Sequence, residues 1–350
     1  MKAAIVSLRF APGHVAHLRA YMKIFCSLGC ETRLFLHSGY SSFINMTEGV
    51  VYFNTINDII NWNPDFILSY NIANENIKLA KKCKSHGIKF FYVLHEPIED
   101  LKPLLAEGKR IPRRVAANTV NYLTCKNSYK VVLASERGKE KFEKHMRRSN
   151  SNYDVFPLIF CDEFDSNKEI GRQFFSFIGG FVKSRGTKEF LDFMKWSLEK
   201  NLGIKFLIAS RSVVDSELAD EIFKKAIKDG SLVLDAGRPM TSNEINQHYR
   251  ESICVWNGYI SSTQSGVLGN ALMQGAPIIA TKRADTIGII SNKENGCFIS
   301  VPYDNQEIYD AYSYIKENLD HMVAKARMSF MTLFNYSSSA ELARKVFEIK

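Results

Sequence analysis

The sequence predicts an α/β protein of two Rossmann-like domains, each built on a parallel sheet with helices on both faces. Its length of 350 residues suits two domains at a usual ~150 residues per domain. Short apolar runs alternate with amphipathic stretches, which is the pattern of parallel strands connected by helices. The alternation is interrupted once, by the polar segment at residues 160–172, and then starts again.

The first half predicts strands that are apolar over most of their length, as expected for strands buried on both faces. These strands are Ala3–Leu8, Thr32–His37, Val50–Phe53, Phe66–Tyr70, Lys89–Leu94 and Lys130–Ala134. Helices are predicted between them, because the apolar residues there recur with helical spacing. These helices are Val15–Leu28, Lys78–His86 and a charged helix from Glu136 onward.

The second half repeats the pattern. Strands are predicted at Phe174–Ile178, Lys205–Ala209, Ser231–Asp235, Ile253–Trp256 and Pro277–Ala280. Helices are predicted at Thr187–Leu198, Ser216–Ile227, Asn243–Tyr249 and Val267–Gln274, and residues 304–350 are nearly all helical. We therefore expect a first domain at 1–165, a second at 166–335, and a terminal helix at 336–350 that could pack back on the first domain.

The composition favours a protein with anionic partners. The chain has 46 Lys and Arg against 37 Asp and Glu, a net charge of +9, which suits nucleotides, phospholipid headgroups or nucleic acid. Its 7 cysteines are an odd number without a Cys-x-x-Cys pair, so we expect neither a disulfide framework nor a zinc site. The N-terminus lacks the apolar core of a secretion signal, and no apolar stretch reaches ~18 residues, so we expect a cytoplasmic protein.

Candidate site residues follow the strands, because ligands of doubly wound sheets bind at the carboxyl ends of strands. In the first half, Gly13 lets the backbone approach a ligand before a helix whose N–H groups suit an anion; an ordinary turn is the alternative. His95 directly follows the strand Lys89–Leu94 and could orient a sugar or acceptor hydroxyl. A structural histidine is the alternative there.

Two loops of the second half suit phosphate. Gly180, Lys183 and Arg185 lie between a strand and a helix, where two cations and helix N–H groups can hold a diphosphate; a solvated basic loop is the alternative. The second loop is rich in hydroxyl groups and opens a helix, so it offers N–H and O–H donors to phosphate and ribose. Its candidate residues are Ser262, Ser265, Gly266 and Val267.

These segments together resemble glycosyltransferase family 4, whose members have the GT-B fold. The strongest match is Ala271–Thr281 (ALMQGAPIIAT), which resembles the second half of the family signature E-G-F-G-x-x-x-x-E-A-M-A-x-G-x-P-V-I-A-T. Further matches are Gly179–Gly186, Gly237–Tyr249, Arg250–Trp256, Val132–Glu136 and Leu94–Pro97. The resemblance covers most of the chain and is strongest over residues 174–300.

The resemblance implies two Rossmann-like domains facing across a cleft and a retaining, hexosyltransferase-like activity. The nucleoside-diphosphate sugar would bind mostly to the second domain, with Arg185 and Lys183 at the diphosphate, Arg238 near the base and Asn270 at the ribose. His95 would be the catalytic-site residue of the first domain. The implied context is bacterial polysaccharide or lipopolysaccharide biosynthesis, with a glycan or lipid-linked oligosaccharide as acceptor.

The sequence also departs from the family pattern. The two motif glutamates fall on Ser262 and Asn270, and the motif Arg and Lys fall on Gly180 and Arg185. No Asp-x-Asp pair follows a strand, so we expect no metal and no cofactor, with cations and helix dipoles stabilising the leaving diphosphate.

A non-catalytic relative that binds a nucleotide sugar or a partner enzyme is the alternative function. A nucleotide-sugar epimerase is disfavoured because the second half lacks suitably placed carboxylates.

Two basic segments lie in the first half, at residues 109–114 and 137–148. These cations would bind an anionic membrane surface, and a membrane location would fit a lipid-linked acceptor. Peripheral attachment to the inner face of the cell membrane is therefore one expectation. A solvated helix face is the other. Nucleic acid is disfavoured because few aromatic residues are interleaved with the cations.

Overall fold

The computed structural model describes residues 1–42, 44, 49–95, 97–98, 111–166, 171–260, 265–283 and 285–350. The chain forms two compact units. The first unit is Met1–Cys161 together with Phe334–Lys350, and the second unit is Asp162–Leu333. The unit limits therefore lie at 162 and 334, where the sequence suggested 166 and 336.

The first unit is built on a seven-stranded sheet in which every neighbouring pair is parallel. Its spatial order is β3-β2-β1-β4-β5-β6-β7. The strands are β1 (Lys2–Ser7), β2 (Glu31–Leu36), β3 (Val50–Tyr52), β4 (Phe66–Ser69), β5 (Lys89–Leu94), β6 (Lys130–Leu133) and β7 (Tyr153–Val155). The helices are α1 (Val15–Ser27), α2 (Ile56–Asn61), α3 (Glu75–Ser85), α4 (Ile111–Asn127) and α5 (Glu136–His145).

The second unit has a six-stranded parallel sheet in the order β10-β9-β8-β11-β12-β13. The strands are β8 (Phe174–Ile178), β9 (Lys205–Ser210), β10 (Leu232–Ala236), β11 (Ser252–Asn257), β12 (Ile278–Thr281) and β13 (Gly296–Ile299). The helices are α6 (Thr187–Glu199), α7 (Glu221–Asp229), α8 (Ser242–Arg250), α9 (Gly266–Met273), α10 (Asn305–Glu317) and α11 (Leu319–Leu333). The expected fold class, two Rossmann-like parallel-sheet units, is confirmed.

The last helix, α12 (Ala340–Phe347), belongs to the first unit. Phe347 is fully buried there, with its ring 5.1 Å from that of Phe25 and 5.4 Å from that of Phe91. The Glu348 carboxylate accepts a hydrogen bond of 2.6 Å from Lys89 and lies 3.3 Å from the ammonium of Lys130. Aromatic packing and these ion pairs hold the end of the chain on the first sheet.

The structure differs from the sequence expectation in several elements. α7 begins at Glu221 rather than Ser216, because the Asp220 side chain accepts a hydrogen bond from the Ile222 N–H and caps the helix there. α4 was not among the predicted helices, although Pro112 in its first turn is a common helix-start residue. The edge strands β7 and β13 have 3 and 4 residues and were also missed, because a run that short carries little periodicity.

Each sheet has one point at which the strand order reverses. In the first unit this point lies between β1 and β4, and in the second unit between β8 and β11. In open α/β sheets, ligands bind outside the carboxyl ends of the strands at such a switch point. The residues that follow these four strands are therefore the first place to look for a site. Among the helices of the described ranges, none is long and apolar enough to cross a membrane.

Candidate functional site

Gly179 follows β8 at the switch point of the second unit and brings the backbone close to a cationic side chain. Its φ is +126°, and a Cβ at this position would lie 2.5 Å from Nη1 of Arg185. At Gly180, the glycine singled out from the sequence, the corresponding distance is 3.7 Å, an ordinary contact. Gly179 is thus the residue whose missing side chain lets the guanidinium lie against the end of β8.

Arg185 ends a short 3-10 turn, Lys183–Arg185, that leads into α6. Its guanidinium lies 5.4 Å from the ring centroid of Tyr259, and its backbone oxygen accepts a hydrogen bond of 3.2 Å from the Trp256 indole N–H. Neither Arg185 nor the exposed Lys183 forms a side-chain ion pair or hydrogen bond within the part of the chain that the structure describes. Two cations are therefore available at this switch point.

Tyr259, which sequence reasoning did not single out, is firmly positioned just after β11. Its carbonyl oxygen accepts a hydrogen bond of 2.9 Å from the Thr281 hydroxyl and a second one from the Arg283 guanidinium. Arg283 is itself paired at 2.6 Å with the buried carboxylate of Asp285. Applying the strand-end rule to β11 would have found Tyr259, since it lies two residues beyond that strand.

The start of α9 lies beside Gly179. Val267 Cγ2 would be 3.7 Å from a Cβ at Gly179. Ser265 precedes α9, but its hydroxyl does not cap the helix; it lies 3.4 Å from the Asn257 amide nitrogen and 3.4 Å from the Tyr259 hydroxyl. Among the described residues, no side chain caps the first N–H groups of α9, which begin at Gly266, and these groups can donate to an anion.

The remaining site residues proposed from the sequence for the second unit differ in burial and in hydrogen bonding. Asn270 lies one helical turn beyond Gly266 and is half-buried, without a side-chain hydrogen bond to any described residue. Arg238 is paired with Glu244 at 2.7 Å and Asp235 at 3.0 Å, so its charge is largely balanced. Hydrogen bonding to Arg238 lowers the pKa of Glu244 to about 2. Ser262 lies outside the described residues.

The switch point of the first unit carries a cluster of imidazoles. His95 follows β5, and its Nε2 lies 2.9 Å from the backbone oxygen of Tyr70. The His95 ring stacks on that of His14, with 5.1 Å between centroids, and meets the Tyr70 ring edge-on at 4.5 Å. His14 precedes α1, in the same turn as Gly13, where an added Cβ would meet no atom within 4 Å.

The imidazoles of this cluster are neutral at neutral pH. Burial, with smaller contributions from His14 and His17, lowers the pKa of His95 to about 3. Burial likewise lowers the pKa of His14 and of His17 to about 4. Because a carbonyl oxygen only accepts hydrogen bonds, His95 must carry its proton on Nε2 and hold a lone pair on Nδ1.

The two switch points therefore offer different chemistry. The second unit combines Arg185, Lys183 and the N-terminus of α9, which together suit an anion with several oxygen atoms. The first unit offers neutral hydrogen-bonding groups, which suit hydroxyls. No group of three or more His, Cys, Asp and Glu that could hold a metal ion exists among the residues described.

Searches by sequence identify no relative: no protein-family model and no curated protein matches the chain. Solved structures do match over the whole chain. Sucrose-phosphate synthase from Thermosynechococcus elongatus aligns with a TM-score of 0.73 at 10% identity, covering 100% of both chains. HepE of Anabaena in complex with UDP aligns with a TM-score of 0.71 at 11% identity, covering 99% of this chain and 100% of HepE.

A third similar structure is WaaG, a glycosyltransferase involved in lipopolysaccharide biosynthesis, with a TM-score of 0.64 and 14% identity over 98% of this chain and 99% of WaaG. The fold is GT-B. This agrees with the fold that the family resemblance implied, and each Rossmann-like unit of this GT-B chain carries one cluster of candidate residues at its switch point.

Proposed function

We propose that the protein is a glycosyltransferase that uses a nucleoside-diphosphate sugar as donor. The observation that carries the proposal is the Arg185 guanidinium, which lies against Gly179 and Tyr259 without a carboxylate partner in the described chain. An unpaired arginine beside the start of α9 suits a diphosphate, because it can form two parallel hydrogen bonds to phosphate oxygens. HepE structures hold UDP and UDP-glucose, which supports UDP as the first nucleotide to test.

In this proposal the cations and the helix start stabilise the leaving nucleoside diphosphate. Negative charge develops on the departing oxygen as the bond to the sugar breaks, and donors fixed in advance stabilise that charge without rearranging. Arg185 and Lys183 would supply positive charge, with Gly266 and Val267 supplying N–H groups and Asn270 a neutral contact to the ribose. Neither a metal nor a cofactor is required, so turnover should persist in EDTA.

The Arg185→Ala variant tests the diphosphate contact. We expect UDP to bind about 10- to 100-fold more weakly, since a hydrogen bond to a charged group contributes about 1.5–3 kcal/mol. Calorimetry with UDP measures this change. Lys228→Ala is the matched control, because it removes one positive charge from an exposed position of α7 in the same unit.

Equal UDP affinity in Arg185→Ala and the wild type would refute the diphosphate assignment. Loss of activity in EDTA that Mg²⁺ or Mn²⁺ restores would refute the metal-independent mechanism. Release of UDP from UDP-glucose, measured with purified full-length protein, tests the transferase activity itself.

The acceptor side of the proposal assigns a glycan, in a lipid-linked form, to the first unit. Retention of configuration and a role in surface polysaccharide assembly rest on the family resemblance. The basic segments would attach the first unit to an anionic membrane. Of these, Lys109 and Arg110 lie outside the described residues, while Arg147 and Arg148 are exposed directly after α5.

A non-catalytic nucleotide-sugar binding protein is the second candidate, favoured by one observation. Asn270 occupies the half-buried position where the family signature has a glutamate, and an amide has no charge with which to hold the ribose. This candidate predicts UDP binding that depends on Arg185 without any release of UDP from a sugar donor.

A further inference from the structure

His14 has polar atoms without partners in an otherwise packed cluster. Its ring stacks on His95 and meets the Tyr70 ring edge-on, 5.2 Å between centroids. Nδ1 is buried without a hydrogen-bond partner, and no described residue bonds to Nε2 either. Two fully or nearly buried neighbours show the same deficit: the Tyr70 hydroxyl and the Asn71 side-chain oxygen lack partners, at 0% and 3% exposure.

Such a concentration of unsatisfied polar atoms is unusual. Nearly all buried polar groups in proteins form hydrogen bonds, and exceptions call for a specific explanation. His17 shows what a purely structural imidazole looks like in the same cluster, because its Nδ1 bonds to the Ile159 backbone oxygen at 3.0 Å. His14 has no such bond and is only partly buried, so its ring edge can reach a ligand.

The surroundings of His14 also select its tautomer. A buried N–H without an acceptor is less well tolerated than a buried lone pair. The proton of neutral His14 therefore resides on Nε2, which makes this atom a hydrogen-bond donor. His95 also carries its proton on Nε2, where it donates to the Tyr70 oxygen, so the two stacked rings are the same tautomer.

We propose that His14 contacts the substrate by donating a hydrogen bond from Nε2 to a hydroxyl group of a sugar. The inference rests on the proposed function and deepens it: the first unit recognises an uncharged polyol through His14 and leaves phosphate to the second unit. Neutral imidazoles suit this ligand, since they bring no charge that would attract phosphate. Gly13 leaves open space beside His14 for such a group.

Side-chain ¹⁵N spectra of the full-length protein test the contact directly. The His14 resonance is assigned by its absence in His14→Phe, and the wild type is then titrated with the methyl glycosides of glucose, galactose and N-acetylglucosamine. A parallel titration uses inorganic phosphate. We expect the His14 signal to shift with at least one glycoside and not with phosphate. No shift with any glycoside, or a shift with phosphate alone, would overturn the proposal.

The His14→Phe variant separates binding from folding. Phenylalanine keeps the stack on His95 and removes the unpartnered nitrogen, so the melting temperature should stay equal or rise. His17→Phe, which removes the bond to Ile159, should melt at a lower temperature. With any sugar acceptor that the wild type uses, His14→Phe should reduce kcat/KM about tenfold, the size of one hydrogen bond.

Equal kcat/KM in His14→Phe and wild type would also overturn the proposal. Measuring UDP affinity of the wild type distinguishes a wrong role for His14 from a wrong proposed function. A wild type that binds no UDP contradicts the proposed function, while the glycoside titration still decides the role of His14.

Discussion

At the scale of single residues, one backbone contact determines what the His95 imidazole can do. Its Nε2 donates to the Tyr70 oxygen, so any hydrogen bond made through Nδ1 must use that atom as an acceptor. The sequence predicted that His95 ends a strand, because strand ends are visible as the end of an apolar run. It could not predict the tautomer, because Tyr70 lies 25 residues away and meets His95 only through the pairing of β4 with β5.

We expect His95→Ala to lower turnover by about a hundredfold while UDP affinity changes less than about twofold. The reason is that His95 lies in the first unit and the proposed nucleotide contacts lie in the second. A reacting group displaced by about 1 Å can lose on the order of a hundredfold in rate. The transfer rate and the UDP dissociation constant are measured on the same preparation. A parallel fall in both quantities, or no change in either, would make His95 a structural residue.

At the scale of elements, Gly186 joins the 3-10 turn of Arg185 to α6 and packs on the loop after β11. Its φ is +67°, and a Cβ would lie 1.9 Å from the backbone oxygen of Gly258. The position of Arg185 therefore depends on a close backbone contact between two strand-end loops. The sequence shows a glycine at position 186, but this contact could not be predicted from it. Gly258 lies in the loop after β11, whereas Gly186 lies in the loop after β8.

Gly186→Ala should destabilise the second unit and weaken UDP binding, since the Arg185 and Tyr259 loops must move apart. Gly203→Ala is a matched control: Gly203 has φ +68°, and a Cβ there meets no atom within 4 Å. Both variants carry the left-handed strain of about 1 kcal/mol. Only Gly186→Ala adds the clash, which we expect to cost about 1–3 kcal/mol more. Denaturant unfolding measures the difference, and equal stability of the two variants would contradict the backbone contact.

The same scale explains which parts of the fold could be predicted. Long buried strands such as Lys89–Leu94 were found because all or nearly all of their residues are apolar. The helix Ile111–Asn127 was missed because its polar and basic residues suggested a charged surface segment. The positions of Gly13, Arg185 and Ser265 in connections from a strand to a helix were predictable from order along the chain. The contacts of Tyr259 and His14 depend on which strands are neighbours in the sheet. That spatial order cannot be read from the sequence.

At the scale of the whole molecule, the two units share a sheet topology but differ in their titratable groups. His14, His17 and His95 all lie in the first unit, where burial lowers the pKa of His14 and His17 to about 4 and that of His95 to about 3. The histidines of the second unit are His248 and His321, neither of which belongs to such a cluster. Mild acid should therefore act mainly on the first unit.

Whether acid stabilises or destabilises the first unit depends on which state, folded or unfolded, binds more protons. Between about pH 4 and pH 6.5 the unfolded chain protonates these histidines and the folded unit does not, so stability falls as the pH falls. His17 is 6% exposed with a pKa of about 4, and at pH 5 its burial alone costs about 2 kcal/mol of stability relative to pH 7. This loss of stability disappears above pH 6.5, the ordinary pKa of a histidine in the unfolded chain.

We expect hydrogen exchange, corrected for intrinsic rates, to show lower protection of β1, β4 and β5 at pH 5 than at pH 7. Protection of β8, β9 and β11 should change less, because no histidine of comparable burial packs on them among the residues described. In His17→Leu, the loss on acidification should shrink by about 2 kcal/mol, since one of the three titrating groups is gone. A His17→Leu variant with the same pH dependence as the wild type would show that His17 is already protonated in the folded state at pH 5. The neutral character of the imidazole cluster, on which the proposed roles of His14 and His95 depend, would then be wrong.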